Sequence, residues 1–174
     1  MPQTPLTELG IKVIALDVYG TVLASNGDDS VPPREGIGVF LDKCDDAGIL
    51  VVGSSDVDPL KVQRDLRICY QRHPSYDLCV RRFADFFHLN DLPYKNFKHV
   101  YKTLGITNLE LLVIGDDPDK DIRGATVFEC FYIQNPRYIV KHAQCLIDAR
   151  PEVYDDGFQN DPLAGDFDFG IIRV

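Results

Sequence analysis

Four short apolar segments are the feature of this sequence that most restricts its fold. Each is rich in β-branched or aromatic residues and is nearly continuous rather than alternating, which is the pattern of strands covered on both faces. Segments with the three-and-four spacing of amphipathic helices lie between them. Strands that alternate with helices indicate right-handed crossovers and a mostly parallel sheet. The predicted strands cover residues 12–16, 49–52, 111–114 and 130–133.

The length of 174 residues fits one domain with a sizeable core. We therefore expect residues 1–174 to form a single three-layer α/β/α sandwich with a mostly parallel, Rossmann-like sheet. In the C-terminal part, residues 145–148 and 169–174 are expected as edge strands, and 152–168 as an exposed acidic loop. The predicted helices cover residues 36–47, 60–70, 77–87 and 96–104.

The net charge restricts the classes of binding partner, and the cysteine content indicates the redox compartment. The net charge is −9, from 27 acidic and 18 basic residues, and an acidic surface repels nucleic-acid phosphates and anionic membranes. The sequence has no apolar run long enough for a transmembrane helix and no secretory signal in its first residues. The five cysteines form no C-x-x-C pair, which favours a reduced, cytoplasmic setting over a disulfide framework.

Polar residues follow the first three predicted strands. These segments are DVYGT at 17–21, GSSD at 53–56 and GDD at 115–117. Ligands of open parallel sheets bind beyond the carboxyl ends of the strands, so these segments are expected to form one site. Asp17 would lie there beside Gly20, which lets the main chain approach a ligand closely. A turn or a helix cap is the alternative for Asp17.

The third segment concentrates carboxylates. Asp116 and Asp121 lie in the run GDDPDKDI, and such a cluster repels itself unless a cation or a lysine is near. Magnesium prefers oxygen ligands and takes one or two carboxylates together with substrate phosphate. A calcium loop of the EF-hand type would need glycine and glutamate where this chain has Ile122 and Phe128. We therefore expect a magnesium site, with a solvated acidic turn as the alternative.

Four motifs, taken in order, resemble those of the haloacid dehalogenase-like (HAD) superfamily. They are VIALDVYGTV, ILVVGSS, LNDLPYKNF and LLVIGDDPDKDIRGA. The resemblance covers about residues 11–133, and it depends on the ordered set rather than on any one motif. It implies a HAD-like α/β/α fold and a hydrolase that uses Mg²⁺.

The resemblance also implies catalytic roles. Asp17 would be the nucleophile that forms a covalent aspartyl intermediate. Ser54 would hold the transferring phosphoryl group, and Lys95 would neutralise the nucleophile and the phosphate. Asp121 would support the lysine or the waters of the metal. Substrate contacts are expected from Tyr19, Gly20, Thr21, Ser54, Ser55 and Lys95.

Two of these assignments have alternatives. Ser54 and Ser55 precede a predicted helix, so one of them could be its N-cap. Lys98 and Lys102 compete with Lys95 for the role of the catalytic lysine. Lys95 is favoured over the other two because it lies just before a predicted helix and after an apolar Leu-Pro pair.

The sequence departs from the family's phosphatases at Tyr19. The resemblance implies that Asp17, Asp116 and the carbonyl oxygen of Tyr19 bind the metal. In the phosphatases, however, the residue two positions after the nucleophile is an aspartate that protonates the leaving group and later activates water. A phenol with an ordinary pKa of about 10 performs that task poorly at neutral pH.

Tyrosine at this position resembles the 2-haloacid dehalogenase branch, whose halide leaving group needs no proton. That branch carries a helical cap of several dozen residues after the first motif, whereas here only residues 24–34 separate the first strand from the next helix. It also tends to have serine and asparagine in the fourth motif. A dehalogenase is therefore ranked below two other hypotheses.

The first hypothesis is a magnesium-dependent phosphohydrolase with a minimal cap, acting on a phosphorylated small molecule or a phosphoprotein. The second is a catalytically reduced regulatory domain that still binds metal and phosphate. Substrates whose leaving groups need little protonation would separate the two, because only the first hypothesis predicts their turnover. The sequence leaves open whether the protein forms a homo-oligomer.

Overall fold

A five-stranded sheet forms the centre of the molecule in a computed structural model that describes residues 6–134. Its strands are β1 (Val13–Asp17), β2 (Leu50–Ser55), β3 (Phe86–His88), β4 (Leu111–Gly115) and β5 (Phe131–Gln134). The order across the sheet is β3-β2-β1-β4-β5, and every pairing is parallel. The predicted parallel sheet is confirmed, with β3 as an additional edge strand.

Helices cover both faces of the sheet and complete a three-layer α/β/α sandwich. They are α1 (Ile37–Ala47), α2 (Pro59–Arg72), α3 (Phe97–Leu104) and α4 (Arg123–Val127). Side chains alternate across β1, because successive residues of a strand point to opposite faces. Ile14 and Leu16 lie in one core cluster with apolar residues of α1 and α2, and Val13 and Ala15 lie in a second cluster with those of α3 and α4.

The predicted helix over residues 77–87 is wrong. Asp77 has a left-handed backbone conformation (φ 54°), Val80–Arg82 forms one 3₁₀ turn, and the segment ends in β3. β3 pairs with β2, and the Phe86 ring occupies the space that a side chain at Gly53 would need, 2.6 Å from the position of its Cβ. Pairing with the sheet therefore overrides the helical spacing of the segment.

The topology brings the carboxyl ends of β1 and β4 to the point where the strand order reverses. The chain proceeds from β1 to β3 on one side of the sheet and then continues with β4 and β5 on the other. Ligands of doubly wound sheets bind at this reversal. The connection from β1 to α1, residues 18–36, contains turns but no helix or regular strand, so the cap over this edge is minimal, as predicted.

Three further predictions concern membrane spans, the cysteines and the C-terminal segment. No helix within residues 6–134 is long and apolar enough to span a membrane. The four cysteines of this range are buried and form no disulfide. The edge strands predicted at 145–148 and 169–174, and the acidic loop at 152–168, lie outside the described residues.

Candidate active site

A cavity of about 200 Å³ opens at the carboxyl edge of the sheet. Asp17 is the last residue of β1 and Ser55 the last of β2, while Asp116 follows β4 directly. Parallel strands end at the same edge, so these residues meet although they are distant in the sequence. The cavity is lined by Asp17, Tyr19, Ser25, Ser55, Asp56, Lys95, Asp116, Asp117, Lys120 and Asp121.

A buried ammonium group joins two carboxylates at the bottom of the cavity. The Lys95 Nζ lies 2.7 Å from Asp17 Oδ1 and 2.5 Å from Asp121 Oδ1, and it donates to the carbonyl oxygen of Ser54 at 3.0 Å. Asp17, Lys95 and Asp121, which we call the floor of the cavity, are all buried. The floor brings together three residues that the sequence analysis assigned to catalysis.

The main chain holds Lys95 in this position. Lys95 lies just before α3, and its N–H donates to the carbonyl oxygen of Lys120 at 3.0 Å, which ties it to the loop after β4. Lys98 and Lys102, the two lysines that competed with it in the sequence, are exposed on α3. Of these three lysines, Lys95 alone lines the cavity.

A tight turn after β1 orients the Asp17 carboxylate. The Thr21 hydroxyl donates to Asp17 Oδ2 at 2.9 Å, so Asp17 is held by Thr21 on one oxygen and by Lys95 on the other. The Arg34 Nε donates to the carbonyl oxygen of Thr21 at 2.7 Å, and both residues are fully buried. The sequence analysis missed Arg34, because an arginine after a proline-rich loop resembles an ordinary surface residue.

Three carboxylates converge at the floor. Asp17, Asp116 and Asp121 each offer an oxygen atom, and these atoms lie within 4.8 Å of one another. Burial raises the pKa of Asp17 and of Asp121 to about 7, although the Lys95 ammonium opposes the rise. Burial alone would lower the pKa of Lys95, but attraction to Asp121 and Asp17 outweighs it and raises that pKa above its ordinary value. The lysine therefore remains charged.

This set of donors fits a hard divalent cation. Three carboxylates face one ammonium, so a doubly charged ion would balance the cluster when all of its groups are ionised. Gly20 brings the main chain close to the Asp116 carboxylate. It has a positive φ of 85°, and a Cβ at this position would collide with the Asp116 carboxylate.

The acids of the loop after β4 are not arranged as a calcium loop. Asp117 accepts from the backbone N–H groups of Asp119 and Lys120 at 2.9 and 3.2 Å, as a cap of its own turn. Asp121 instead points to Lys95, and Asp119 is exposed. These three acids thus have separate roles, in agreement with the rejection of an EF-hand from the sequence.

The two serines at the end of β2 occupy different environments. Ser54 is fully buried, and its hydroxyl has no hydrogen-bond partner within the described part of the chain, while its carbonyl oxygen accepts from Lys95. Ser55 lines the cavity, and its hydroxyl accepts from the N–H of Val57 at 3.0 Å. Neither is the N-cap of α2, which is Asp58.

Tyr19 lies in the wall of the cavity with its hydroxyl group engaged. The hydroxyl donates to Asp65 Oδ2 at 2.5 Å, and the Lys61 Nζ donates to the same oxygen at 2.6 Å. Burial, together with the hydrogen bond to Asp65, raises the pKa of the Tyr19 phenol above its ordinary value. The phenol is thus a weaker acid than a free tyrosine. Asp65 and Lys61 were missed, because nothing in the spacing of α2 distinguishes them from solvated residues.

A second ion pair lies in the exposed part of the cavity lining. The Lys120 Nζ contacts Asp56 Oδ2, and the two side chains are 46% and 40% exposed. We call Asp56 and Lys120 the mouth of the cavity. The sequence analysis noted both residues within motifs but gave neither a role.

Comparison with known proteins supports the fold. No protein-family model matches the sequence, and no curated protein matches it. Among solved structures, the chain is similar to the N-terminal part of a Bacteroides fragilis protein containing a phosphatase domain complexed with Mg (TM-score 0.56, 20% identity, 82% of this chain and 41% of that one). It is also similar to a haloacid dehalogenase-like family hydrolase from Xanthomonas campestris (TM-score 0.53, 9% identity, 74% and 84%). These similarities confirm the predicted HAD-like fold.

Proposed function

We propose that this protein, built on a HAD-like fold, is a magnesium-dependent phosphohydrolase whose nucleophile is Asp17. The observation that carries the proposal is the floor. One ammonium lies 2.7 Å from Asp17 and 2.5 Å from Asp121, and Asp116 offers an oxygen within 4.8 Å of both carboxylates. Phosphoryl transfer through an aspartyl intermediate uses a nucleophilic carboxylate, a cation and metal-binding oxygens close together. Such groups meet here at the carboxyl edge of the sheet.

Two steps follow from this arrangement. A carboxylate oxygen of Asp17 attacks phosphorus, and the bond from phosphorus to the leaving oxygen breaks with its electron pair on the leaving group. Water then attacks the same phosphorus, breaks its bond to Asp17 and loses a proton to solvent. Lys95 offsets the negative charge that accumulates between the carboxylate and the phosphoryl oxygens in both steps. In both steps Asp121 holds Lys95 in place, and Thr21 holds Asp17.

A magnesium ion held by Asp17, Asp116 and the carbonyl oxygen of Tyr19 would supply further positive charge beside the phosphoryl group. Of the two serines at the end of β2, Ser55 lines the cavity and can donate its hydroxyl proton to a phosphoryl oxygen, whereas Ser54 is not among the lining residues. The Ser54 hydroxyl is buried and without a partner in the described residues, so its side chain would have to move into the cavity to hold the phosphoryl group. We place the reaction in the cytoplasm, on a phosphorylated small molecule or a phosphoprotein.

The second candidate, a catalytically reduced domain that binds phosphate and metal, is favoured by one observation. The Tyr19 hydroxyl donates to Asp65, and the raised pKa of the phenol makes it a poor proton donor to a leaving group. Loss of general acid–base assistance typically slows a reaction by about a hundred- to ten-thousandfold. Turnover is therefore expected mainly for substrates whose leaving groups depart as stable anions.

The test uses p-nitrophenyl phosphate and acetyl phosphate with and without magnesium. We expect magnesium-dependent turnover of both by the wild-type chain and none by Asp17→Asn. Asp119→Asn, in an exposed acid of the loop after β4, is the matched control and should behave as wild type. Turnover retained in Asp17→Asn removes Asp17 from the role of nucleophile. Magnesium that raises the melting temperature without turnover supports the reduced domain, and no response of either kind contradicts both candidates.

A further inference from the structure

The cavity contains an imbalance of charge that the floor does not resolve. Its lining includes five aspartates but only two lysines. One of the two, Lys95, is buried and lies between Asp17 and Asp121. The other, Lys120, is about half exposed at the mouth. Among the lining residues, Lys120 is therefore the cation available to a part of the substrate that lies outside the floor.

The main chain of Lys120 is fixed, whereas its side chain reaches into solvent. Its N–H donates to Asp117 Oδ1 at 3.2 Å, and its carbonyl oxygen accepts from the N–H of Lys95 at 3.0 Å. The backbone that carries Lys120 is thus joined to the segment that carries the catalytic lysine. A flexible four-carbon chain on such a base can move its ammonium group without disturbing the floor.

The partner of Lys120 is exchangeable. Asp56 follows β2 and Lys120 follows β4, the two strands that flank β1, and both members of the pair are accessible to water. An ion pair between exposed groups contributes little, because water competes for both charges. An anion that enters the cavity can therefore replace Asp56 as the partner of Lys120 at small cost, whereas the pairs of the floor stay in place.

We propose that Lys120 is a specificity residue that binds an anionic group of the substrate beyond the transferring phosphoryl group, and that the substrate class is the phosphoanhydrides. This inference rests on the proposed function. The bond from phosphorus to Asp17 forms, the bond from phosphorus to the bridging oxygen breaks, and the leaving phosphate takes the electron pair as an anion. Its charge is offset by Lys120, which lines the same cavity as Asp17.

The two members of the mouth give a pair of variants with opposite effects. Lys120→Gln removes the cation, so kcat/KM for inorganic pyrophosphate should fall by about fivefold, through KM because Lys120 binds the second phosphate and through kcat because it offsets the charge on that phosphate as it leaves. Asp56→Asn removes the competing anion, so kcat/KM for pyrophosphate should rise by about twofold to fivefold. Both variants should change kcat/KM for p-nitrophenyl phosphate by less than about twofold, because its leaving group carries no second phosphate. A structural role for the pair would not give opposite signs.

The matched control is Lys12→Gln. Lys12 is also an exposed lysine paired with an acid, 3.0 Å from Glu110, but it precedes β1 at the opposite edge of the sheet. It should leave both substrates unaffected. Equal losses on both substrates in Lys120→Gln, or an Asp56→Asn variant that loses pyrophosphate activity, would overturn the inference and leave the proposed function standing.

Failure of the proposed function is distinguishable from failure of this inference. If the wild-type chain turns over neither substrate, the proposed function is contradicted, and the inference is then tested by binding. Pyrophosphate with magnesium should raise the melting temperature more than phosphate with magnesium, and Lys120→Gln should abolish that difference. If the wild type and Lys120→Gln respond alike, Lys120 is not a specificity residue.

Discussion

The floor and the mouth of the cavity are built from the same types of side chain, lysine and aspartate, in opposite environments. The Lys95 side chain is 3% exposed and its partners Asp17 and Asp121 are 8% and 1% exposed, whereas Lys120 and Asp56 are 46% and 40% exposed. Burial removes water as a competitor, so the charges of the floor depend on one another. At the mouth, water can replace either partner. The comparison indicates that one cavity combines a buried, mutually dependent charge cluster with an exposed ion pair whose partners can exchange.

The largest expected effect is that of Lys95→Met, which tests whether the floor depends on its cation. The variant leaves the carboxylates of Asp17 and Asp121 buried without their ammonium. Breaking a buried ion pair costs about 3–5 kcal/mol, so the free energy of unfolding should fall by that amount in metal-free urea denaturation, and turnover should be lost. Lys98→Met, in an exposed lysine of α3, should change stability by less than about 0.5 kcal/mol.

The pH dependence of Lys95→Met follows from the same cause. Burial already raises the pKa of Asp17 and of Asp121 to about 7, and Lys95 opposes that rise. Without the lysine these pKa values rise further, so the native variant holds protons that the unfolded chain releases. Stability then falls as pH increases, and the loss should be larger at about pH 8 than at about pH 6. A loss independent of pH would contradict the account of the floor.

The floor could be predicted from the sequence and the mouth could not. Asp17 ends β1 and Asp121 lies in the loop after β4, so the rule that parallel strands end at one edge brought their segments together, and the resemblance added Lys95. Asp56 and Lys120 also lie near strand ends. They are 64 positions apart in the sequence, however, and their pairing depends on the conformations of two loops and two long-range side chains. Periodicity carries no information about such a contact.

The error at residues 77–87 has the same origin. The spacing of its apolar residues fits a helix, yet the segment supplies β3, because Gly53 of β2 leaves room for the ring of Phe86. Likewise, the hydrogen bond from Tyr19 to Asp65 joins residues 46 positions apart, and no pattern within α2 marks Asp65. Local patterns predicted the elements and the strand-end residues, while tertiary pairing decided the rest.

Gly20→Ala tests the contact between the turn after β1 and Asp116, the proposed metal ligand. Alanine at a φ of 85° is strained, and its Cβ would collide with the Asp116 carboxylate. We expect a loss of about 2–3 kcal/mol in unfolding free energy, together with loss of the magnesium-induced rise in melting temperature. Gly48→Ala shares the positive φ, at 70°, but has open space around the new Cβ. It should lose only about 1 kcal/mol and keep the response to magnesium, and equal behaviour of the two would argue against a site at Asp116.

Tyr19→Asp tests whether the wall of the cavity limits the chemistry of the floor. The shorter side chain would not reach Asp65, so the new carboxyl group would stay in the wall of the cavity, where repulsion from the other aspartates of the lining would raise its pKa toward neutrality. A group that can give and take a proton should raise turnover of an alkyl phosphate such as glycerol phosphate by about tenfold or more. Tyr19→Phe keeps the ring and loses the hydroxyl, so it should stay within about threefold of wild type. A much larger loss in Tyr19→Phe would assign the phenol a direct part in proton transfer.

The smallest expected effect is the change in unfolding free energy of Lys120→Gln. It should be much smaller than the loss in Lys95→Met, because the ion pair of Lys120 is exposed. The exposed pair of Lys120 with Asp56 is screened by water and salt, and neither residue becomes a buried unpaired charge when the other is removed. The unfolding free energy should therefore change by less than about 0.5 kcal/mol, and the difference should vanish in high salt. Urea denaturation at low and high ionic strength measures both quantities. A loss that approaches that of Lys95→Met, or one that persists in high salt, would mean that the mouth is as fixed as the floor and that Asp56 cannot be displaced by a substrate anion.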